Sequence, residues 1–106
     1  MKYVPEYWIL ENKKAIPTSD VMVWGKFFEG LENRIVAQET LPNGKWVSTV
    51  FLGLDHGFGD KVLLFETMVF FNKDDMGELD CKRYETWEEA ESGHRKMVKK
   101  WSKKND

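Results

Sequence analysis

Cysteine, proline and histidine are scarce in this sequence, with one, three and two of them among 106 residues. Because Cys81 has no second cysteine to pair with, an intramolecular disulfide is excluded, and we expect a reduced, cytoplasmic protein. Residues 1–14 lack the apolar segment of a signal peptide, and no apolar run approaches the roughly 20 residues that a membrane-spanning helix needs. We therefore expect no contact with a membrane.

A strong charge of one sign is also missing. The chain has 16 basic and 18 acidic residues and a net charge of −2, so its overall field would not attract a long nucleic acid. The ligand spacings of zinc and calcium sites are absent as well, as are glycine-rich phosphate loops and a nucleophile elbow. The sequence therefore predicts neither a metal ion nor a cofactor.

Aromatic residues, by contrast, are abundant. They make up 14% of the chain, which includes 5 Trp, and each indole adds a large area and a polar N–H to be buried. A single domain over residues 1–106 has one modest core. We therefore expect some rings at an interface or in a pocket, although core filling is the alternative for any single Trp.

Two apolar runs, joined by a glycine-rich bend at residues 55–61, organise the middle of the chain. Both runs, Trp46–Leu54 and Val62–Phe71, are rich in β-branched and aromatic residues, which predicts the central hairpin of an antiparallel sheet. The preceding run, Arg34–Leu41, alternates like a strand and is followed by an Asn-Gly pair, a hairpin signal. We expect it to pair with the first apolar run.

The two ends of the chain complete the predicted fold. Tyr3–Leu10 is predicted as an edge strand because it contains a proline, Glu11–Pro17 as a connector, and Cys81–Tyr84 as a further short strand. Hydrophobic spacing predicts a helix over 21–29, with a strand as the alternative, and a capping box predicts an amphipathic C-terminal helix over 86–103. The predicted class is α+β, with an antiparallel sheet of about four strands.

Both central strands carry apolar side chains on both faces. Strands of this kind are covered on both sides, and two short helices are enough for only one of them. The other face therefore predicts self-association, as a dimer or a tetramer.

Polar residues in and near the central hairpin are the candidates for chemistry. Asp55 and His56 lie in the bend, and Glu66 is the only charge in an apolar strand. A buried carboxylate is unfavourable unless it is paired. Glu66 is therefore either a ligand contact or acid–base group, or a structural carboxylate satisfied by an arginine, an indole or backbone amides. The residues alone leave both interpretations open.

Three segments resemble a family of small phage-encoded proteins that also occur in bacterial prophages. They are STVFLGLDHGFG from Ser48 to Gly59, LLFETMVF from Leu63 to Phe70, and YETWEEAESGH from Tyr84 to His94. The resemblance extends from about Tyr7 to Val98, which is most of the chain. These motifs name no reaction.

Small phage proteins include nucleotide sponges, oligomers that bind immune signals such as cyclic dinucleotides without cleaving them. The chain is similar to these anti-CBASS sponges in size and expected self-association, which implies a non-enzymatic binder of a small nucleotide in the host cytoplasm. Such a site needs rings for stacking, cations for phosphates and polar groups that read base edges. The ligand-binding candidates are Asp55, His56, Phe58, Glu66, Thr67, Arg34, Trp46, Tyr84 and Trp87.

Two other functions stand beside this one. The first is a phage module that binds a host protein through an exposed apolar face, which predicts no affinity for small molecules. The second is a small enzyme that uses His56 and Glu66, which predicts turnover that His56→Ala abolishes.

Overall fold

The structure is a computed structural model, and it describes residues 7–57, 60–75 and 77–103. Within these ranges two antiparallel sheets and two α-helices form an α+β fold, which confirms the predicted class. The elements in chain order are β1 (Tyr7–Glu11), β2 (Lys14–Thr18), α1 (Val21–Glu29), a 3-10 helix (Leu31–Arg34), β3 (Ile35–Thr40), β4 (Trp46–Phe51), β5 (Phe65–Phe70), β6 (Glu78–Tyr84) and α2 (Trp87–Ser102). Neither α-helix in the described part of the chain is long and apolar enough to cross a membrane.

The larger sheet has the strand order β3-β4-β5-β6 and is antiparallel throughout. β4 and β5 lie at its centre, as the two apolar runs predict, although both strands are shorter than those runs. Backbone pairing continues beyond the strand ends. The Leu52 N–H donates to the Leu64 carbonyl at 2.7 Å, and the His56 N–H donates to the Leu63 carbonyl at 3.0 Å. The bend that follows is therefore closed at its base by hydrogen bonds.

The turn between β3 and β4 confirms the predicted hairpin. The Leu41 N–H donates to the Lys45 carbonyl at 2.7 Å, and the Gly44 N–H donates to the Leu41 carbonyl at 2.8 Å. The Asn43 side-chain oxygen accepts from the Lys45 N–H at 3.1 Å, and its amide nitrogen donates to the Trp101 carbonyl at 2.8 Å. This turn therefore also contacts the C-terminal end of α2.

α2 covers one face of the sheet. Alternate side chains of β4 and β5 on this face are fully buried, namely Val47, Thr49, Phe51, Phe65, Thr67 and Val69. The helix begins with the predicted capping box: Thr86 Oγ1 accepts from the Glu89 N–H, and the Glu89 carboxylate accepts from the Thr86 N–H, both at 3.1 Å. Gly93 permits close approach of helix and sheet, because a Cβ there would collide with the Tyr84 ring.

β6 extends the predicted strand Cys81–Tyr84 back to Glu78. Its Asp80 binds the last turn of α2, where Lys100 Nζ and Trp101 Nε1 donate to Asp80 Oδ2 at 2.7 and 2.9 Å. Although burial opposes the shift, these hydrogen bonds hold the pKa of Asp80 below its usual value. The cap at one end and this carboxylate at the other fix the helix on the sheet.

α1 has the bounds predicted for it, and the alternative of a strand in this region is wrong. Asp20 caps the helix, since its Oδ1 accepts from the N–H groups of Met22 and Val23 at 2.9 and 3.4 Å. On the aromatic side of the helix, Trp24 Nε1 donates to the Gly53 carbonyl at 3.2 Å. α1 is thereby attached to the loop that follows β4.

The N-terminal region departs from the prediction. The prediction of a connector over Glu11–Pro17 is wrong, because β2 occupies the second half of this segment and pairs with β1 in a separate two-stranded sheet. Asn12 and Lys13 form the turn, with φ of 51° and 67°. Tight hairpin turns need positive φ, which lysine rarely adopts, so this turn has no clear signal in the sequence. The first four residues of the predicted edge strand Tyr3–Leu10 lie outside the described residues.

The second face of the larger sheet carries the side chains that alternate with the buried set. Trp46 and Phe70 pack with their ring centroids 5.5 Å apart, and Arg83 Nε lies 2.9 Å from Glu66 Oε2. Within residues 7–57, 60–75 and 77–103, no hydrogen bond or ring contact joins this face to a helix. Its side chains contact one another instead.

Candidate ligand-binding site

A cavity of about 570 Å³ opens between the β1–β2 hairpin and the beginning of α2. Its volume lies within the roughly 300–1,000 Å³ that is typical of small-molecule sites. The side chains that give it its chemical character are Trp8, Lys13, Lys14, Glu85, Trp87 and Glu88. We call it the indole cavity.

Two tryptophan rings form the aromatic walls of the indole cavity. The backbone N–H of Trp8 donates to the Gly53 carbonyl at 2.9 Å, and the Trp8 ring packs against the core cluster that contains Phe51 and Phe65. Trp87 is the first residue of α2, and its ring meets Phe65 edge-on with centroids 6.3 Å apart. The sheet core and the helix cap therefore position both rings.

The two indole nitrogens are the unusual feature of this cavity. Nε1 of Trp8 and Nε1 of Trp87 are both buried, and neither has a hydrogen-bond partner in the part of the chain that the structure describes. A buried donor without a partner is destabilising by about 1–3 kcal/mol, and an indole N–H can only donate. Both residues belong to the cavity lining, and a hydrogen-bond acceptor is the partner that both donors lack.

The hairpin tip adds positive charge. Lys13 and Lys14 both line the cavity, and Lys13 Nζ lies 5.6 Å from the centroid of the Trp87 ring. The φ of 67° at Lys13 is strained for a lysine. The turn therefore presents an ammonium group beside the aromatic wall in a backbone conformation that lysine does not favour.

A second pocket, of about 480 Å³, lies beside the indole cavity and shares Glu85 and Glu88 with it. Tyr84 lines this tyrosine pocket, and its hydroxyl is buried against α2 at Gly93. Burial raises the pKa of Tyr84, and a side-chain hydrogen bond with Thr67 opposes the shift. Three lysines also line this pocket, Lys61, Lys82 and Lys96.

Two of the residues predicted from the sequence line these cavities, Trp87 the larger one and Tyr84 the smaller one. The candidates in the bend lie elsewhere. Asp55 Oδ1 accepts from the N–H groups of Gly57 and Leu63 at 2.7 and 3.0 Å, so this carboxylate closes the bend. The His56 side chain is exposed in the same bend. Phe58 lies outside the described residues.

Glu66 is a paired carboxylate on the second face of the sheet. Arg83 Nε donates to it at 2.9 Å and Cys81 Sγ at 3.4 Å, which favours the structural interpretation. Among the residues that the structure describes, no hydrogen bond or ion pair joins Glu66 to His56, the pair that the enzyme alternative needs. Trp46 lies on the same face as Glu66, away from the indole cavity's lining.

Glu66 also affects the thiol of Cys81. Burial and the nearby carboxylate raise the pKa of Cys81 to about 11, so about a thousandth of the thiol is expected to be ionised at pH 8. Alkylation by iodoacetamide at that pH should be much slower than for an ordinary exposed cysteine. Glu66→Gln removes the negative charge, and mass spectrometry should then record alkylation several-fold faster. Equal rates in the two proteins would contradict this electrostatic coupling.

Thr67 belongs to a buried chain of hydrogen bonds under α2. Thr67 Oγ1 lies 2.6 Å from Thr49 Oγ1, which in turn lies 2.7 Å from His94 Nδ1. His94 Nε2 lies 3.3 Å from Glu39 Oε2. A hydroxyl, an imidazole and a carboxylate in this order resemble a catalytic triad. Thr49 is fully buried, however, so a substrate cannot reach it, and the chain has a structural role.

Arg34 ends the 3-10 helix, with its guanidinium 4.4 Å from the centroid of the Phe28 ring. Its Nε is buried and has no hydrogen-bond partner within the described ranges. Arg34 lines neither the indole cavity nor the tyrosine pocket. The structure therefore does not bring the predicted site residues together at one place.

Sequence reasoning missed Trp8 and the two lysines of the hairpin tip. The aromatic excess was the one signal for Trp8, because it predicted rings in a pocket without saying which rings. Within the described residues, no group of three or more His, Cys, Asp or Glu side chains could hold a metal ion. Comparison of the chain with family models, with curated proteins and with solved structures returns no match.

Proposed function

We propose that the protein binds a small phosphorylated, nucleotide-like ligand in the indole cavity and does not change it chemically. The observation that carries this proposal is the pair of buried N–H groups of Trp8 and Trp87, which have no hydrogen-bond partner in the described part of the chain. Both can only donate, so their missing partner is an acceptor. Lys13 and Lys14 can pair with a negatively charged acceptor, although Glu85 and Glu88 share the lining. Phosphate oxygens meet both requirements, and the indole rings offer surfaces to the rest of a nucleotide.

The composition of the cavity supports binding rather than catalysis. Its described lining has no histidine or cysteine, and its single hydroxyl, that of Thr86, accepts from the Glu89 N–H in the helix cap. The carboxylates and amines of the lining, those of Glu85, Glu88, Lys13 and Lys14, form no ion pair with one another among the described residues. A general acid–base pair acts within hydrogen-bond reach. A ligand held here would therefore leave unaltered.

In biological terms, we propose that the protein sequesters a cyclic dinucleotide signal in the host cytoplasm during phage infection. The resemblance of the sequence to small phage proteins supports it, as does a cavity that combines aromatic walls with lysines. A protein that only binds its ligand can act by lowering the free concentration of a signal.

Self-association belongs to the same proposal, with the second face of the larger sheet as the contact between copies. Trp46, Val50 and Met68 are partly exposed on this face, Phe70 is buried beside Trp46, and the Glu66 carboxylate is already paired with Arg83. Two copies can therefore pack without burying an unpaired charge. Native mass spectrometry measures the outcome: a dimer or tetramer supports the proposal, and a monomer at micromolar concentration overturns this part of it.

The test of ligand binding is isothermal titration calorimetry with AMP, GMP, cyclic di-AMP and cyclic di-GMP. At least one of them should bind, and mass spectrometry should recover it intact. Trp8→Phe and Trp87→Phe each remove one N–H and keep a ring, so each should weaken binding about tenfold or more, as expected for a lost hydrogen bond to a charged group.

Trp46→Phe is the matched control for these two variants. It makes the same chemical change on the second face of the sheet, where Trp46 contacts Phe70 rather than the cavity, and it should leave affinity unchanged. Failure of all four nucleotides to bind would overturn the proposed function. A loss of affinity in Trp46→Phe but not in Trp8→Phe would place the ligand elsewhere.

A further inference from the structure

The lining of the indole cavity carries both signs of charge, and the two signs come from different elements. Lys13 and Lys14 line it from the β1–β2 hairpin, whereas Glu85 and Glu88 line it from the beginning of α2. The lysines can pair with the phosphate of the proposed ligand, but the carboxylates repel a phosphate. The carboxylates therefore suit a different part of the ligand, one that carries hydrogen-bond donors.

These two carboxylates are open acceptors. The Glu89 carboxylate is occupied by the helix cap, because it accepts from the N–H groups of Glu85 and Thr86 at 3.1 Å. The side chains of Glu85 and Glu88 are exposed, and among the described residues they form no hydrogen bond or ion pair. Glu88 lies in the first turn of α2 next to Trp87, where the cap fixes the backbone. Of the two, Glu88 is therefore the one held on a rigid element.

An acceptor of this kind distinguishes between nucleobases. An ionised carboxylate can only accept, and its two oxygens lie side by side. Guanine presents two adjacent donors on its Watson–Crick edge, N1–H and the N2 amino group, so one carboxylate can accept from both. On the same edge adenine and cytosine present one amino donor beside a ring nitrogen whose lone pair faces the carboxylate. Guanine is therefore the base that fits Glu88 best.

The donors of the cavity favour the same base. Guanine has an acceptor, O6, directly beside its two donors, and lysine is a common partner of this oxygen in nucleic-acid complexes. The indole N–H groups of Trp8 and Trp87 also need an acceptor. Adenine has an amino donor where guanine has O6, so it cannot accept from any of these groups at that position.

We infer that the base of the ligand is guanine, and that Glu88 determines this specificity by accepting hydrogen bonds from guanine N1–H and the N2 amino group. This inference rests on the proposed function. It narrows the ligand class from nucleotides in general to guanine nucleotides, and the cyclic dinucleotide to one that contains guanine.

The first test varies the base while ribose and phosphate stay the same. Isothermal titration calorimetry on the intact protein should give about tenfold or more tighter binding for GMP than for AMP, as expected for hydrogen bonds to a charged group. IMP keeps N1–H and O6 but lacks the amino group, so its affinity should lie between the two. Equal affinities for GMP and AMP, or tighter binding of AMP, would overturn the inference and leave the proposed function standing.

Glu88→Gln is the decisive variant. A glutamine amide has one acceptor oxygen and one donor group, so it no longer matches the two donors of guanine and can instead pair with the edge of adenine. The ratio of GMP affinity to AMP affinity should therefore fall about tenfold. Lost negative charge changes the attraction of every phosphate alike, and the ratio removes that effect.

Glu91→Gln is the matched control. It makes the same chemical change one turn further along α2, where Glu91 lines neither the indole cavity nor the tyrosine pocket, and it should leave the ratio unchanged. A ratio that stays the same in Glu88→Gln, or that falls equally in Glu91→Gln, would mean that Glu88 does not read the base. Failure of GMP, IMP and AMP to bind at all would overturn the proposed function together with this inference.

Discussion

Replacing His94 with alanine is expected to lower the free energy of unfolding by about 3–4 kcal/mol, the combined effect of a cavity and an orphaned buried hydroxyl. His94 is only 4% exposed. The ionised Glu39 carboxylate can only accept, so in a neutral imidazole Nε2 carries the proton and Nδ1 accepts from the Thr49 hydroxyl. Thr67 then donates to Thr49 in the same direction. The substitution removes the acceptor at the end of this buried chain.

Urea unfolding followed by tryptophan fluorescence measures the effect. Glu39→Gln is the control, because the Glu39 side chain is 49% exposed and its contact with His94 is long, at 3.3 Å. A long contact to a half-exposed carboxylate contributes about 0–1 kcal/mol. If His94→Ala lowers the free energy of unfolding by no more than this control does, the buried chain is not a stabilising network.

The sequence predicted the elements whose signals are local. Apolar runs located β4 and β5, and a capping box located α2 almost to its ends. The β1–β2 hairpin was missed for an equally local reason, since Lys13 adopts a positive φ that its residue type does not announce. Lys13 Nζ also lies 5.6 Å from the centroid of the Trp87 ring, a long-range contact that the local sequence does not indicate.

The candidate site was only partly predictable, because it consists of groups that folding leaves unsatisfied. Trp87 was predicted as a ligand contact for its ring, but what distinguishes it is an indole N–H without a hydrogen-bond partner among the described residues. The lack of a hydrogen-bond partner is a property of the folded chain, because it depends on where each nearby acceptor lies and which donor it binds. Asp55 and Glu66, the most conspicuous carboxylates in the sequence, are instead occupied by backbone amides and by an arginine.

Gly53 links the fold to the site, because it connects the N-terminal hairpin and α1 to the end of β4. Its carbonyl accepts from the Trp8 N–H at 2.9 Å and from Trp24 Nε1 at 3.2 Å. Its φ of +76° favours glycine, and a Cβ at this position would overlap the Phe28 ring. One backbone position therefore holds the strand that brings Trp8 to the indole cavity.

Gly53→Ala is accordingly expected to lower the free energy of unfolding by about 2–5 kcal/mol, since the left-handed conformation of alanine costs about 1–2 kcal/mol and overpacking about 1–3 kcal/mol. Nucleotide affinity should fall with it, because Trp8 loses its anchor. Gly25→Ala in α1 is the matched control: no atom lies within 4 Å of its added Cβ, and alanine favours the helix. Urea unfolding and calorimetry of both variants measure the difference.

A destabilised Gly53→Ala protein with unchanged affinity would mean that the ligand does not use Trp8. A Gly53→Ala protein as stable as Gly25→Ala would mean that the hairpin is not attached through Gly53.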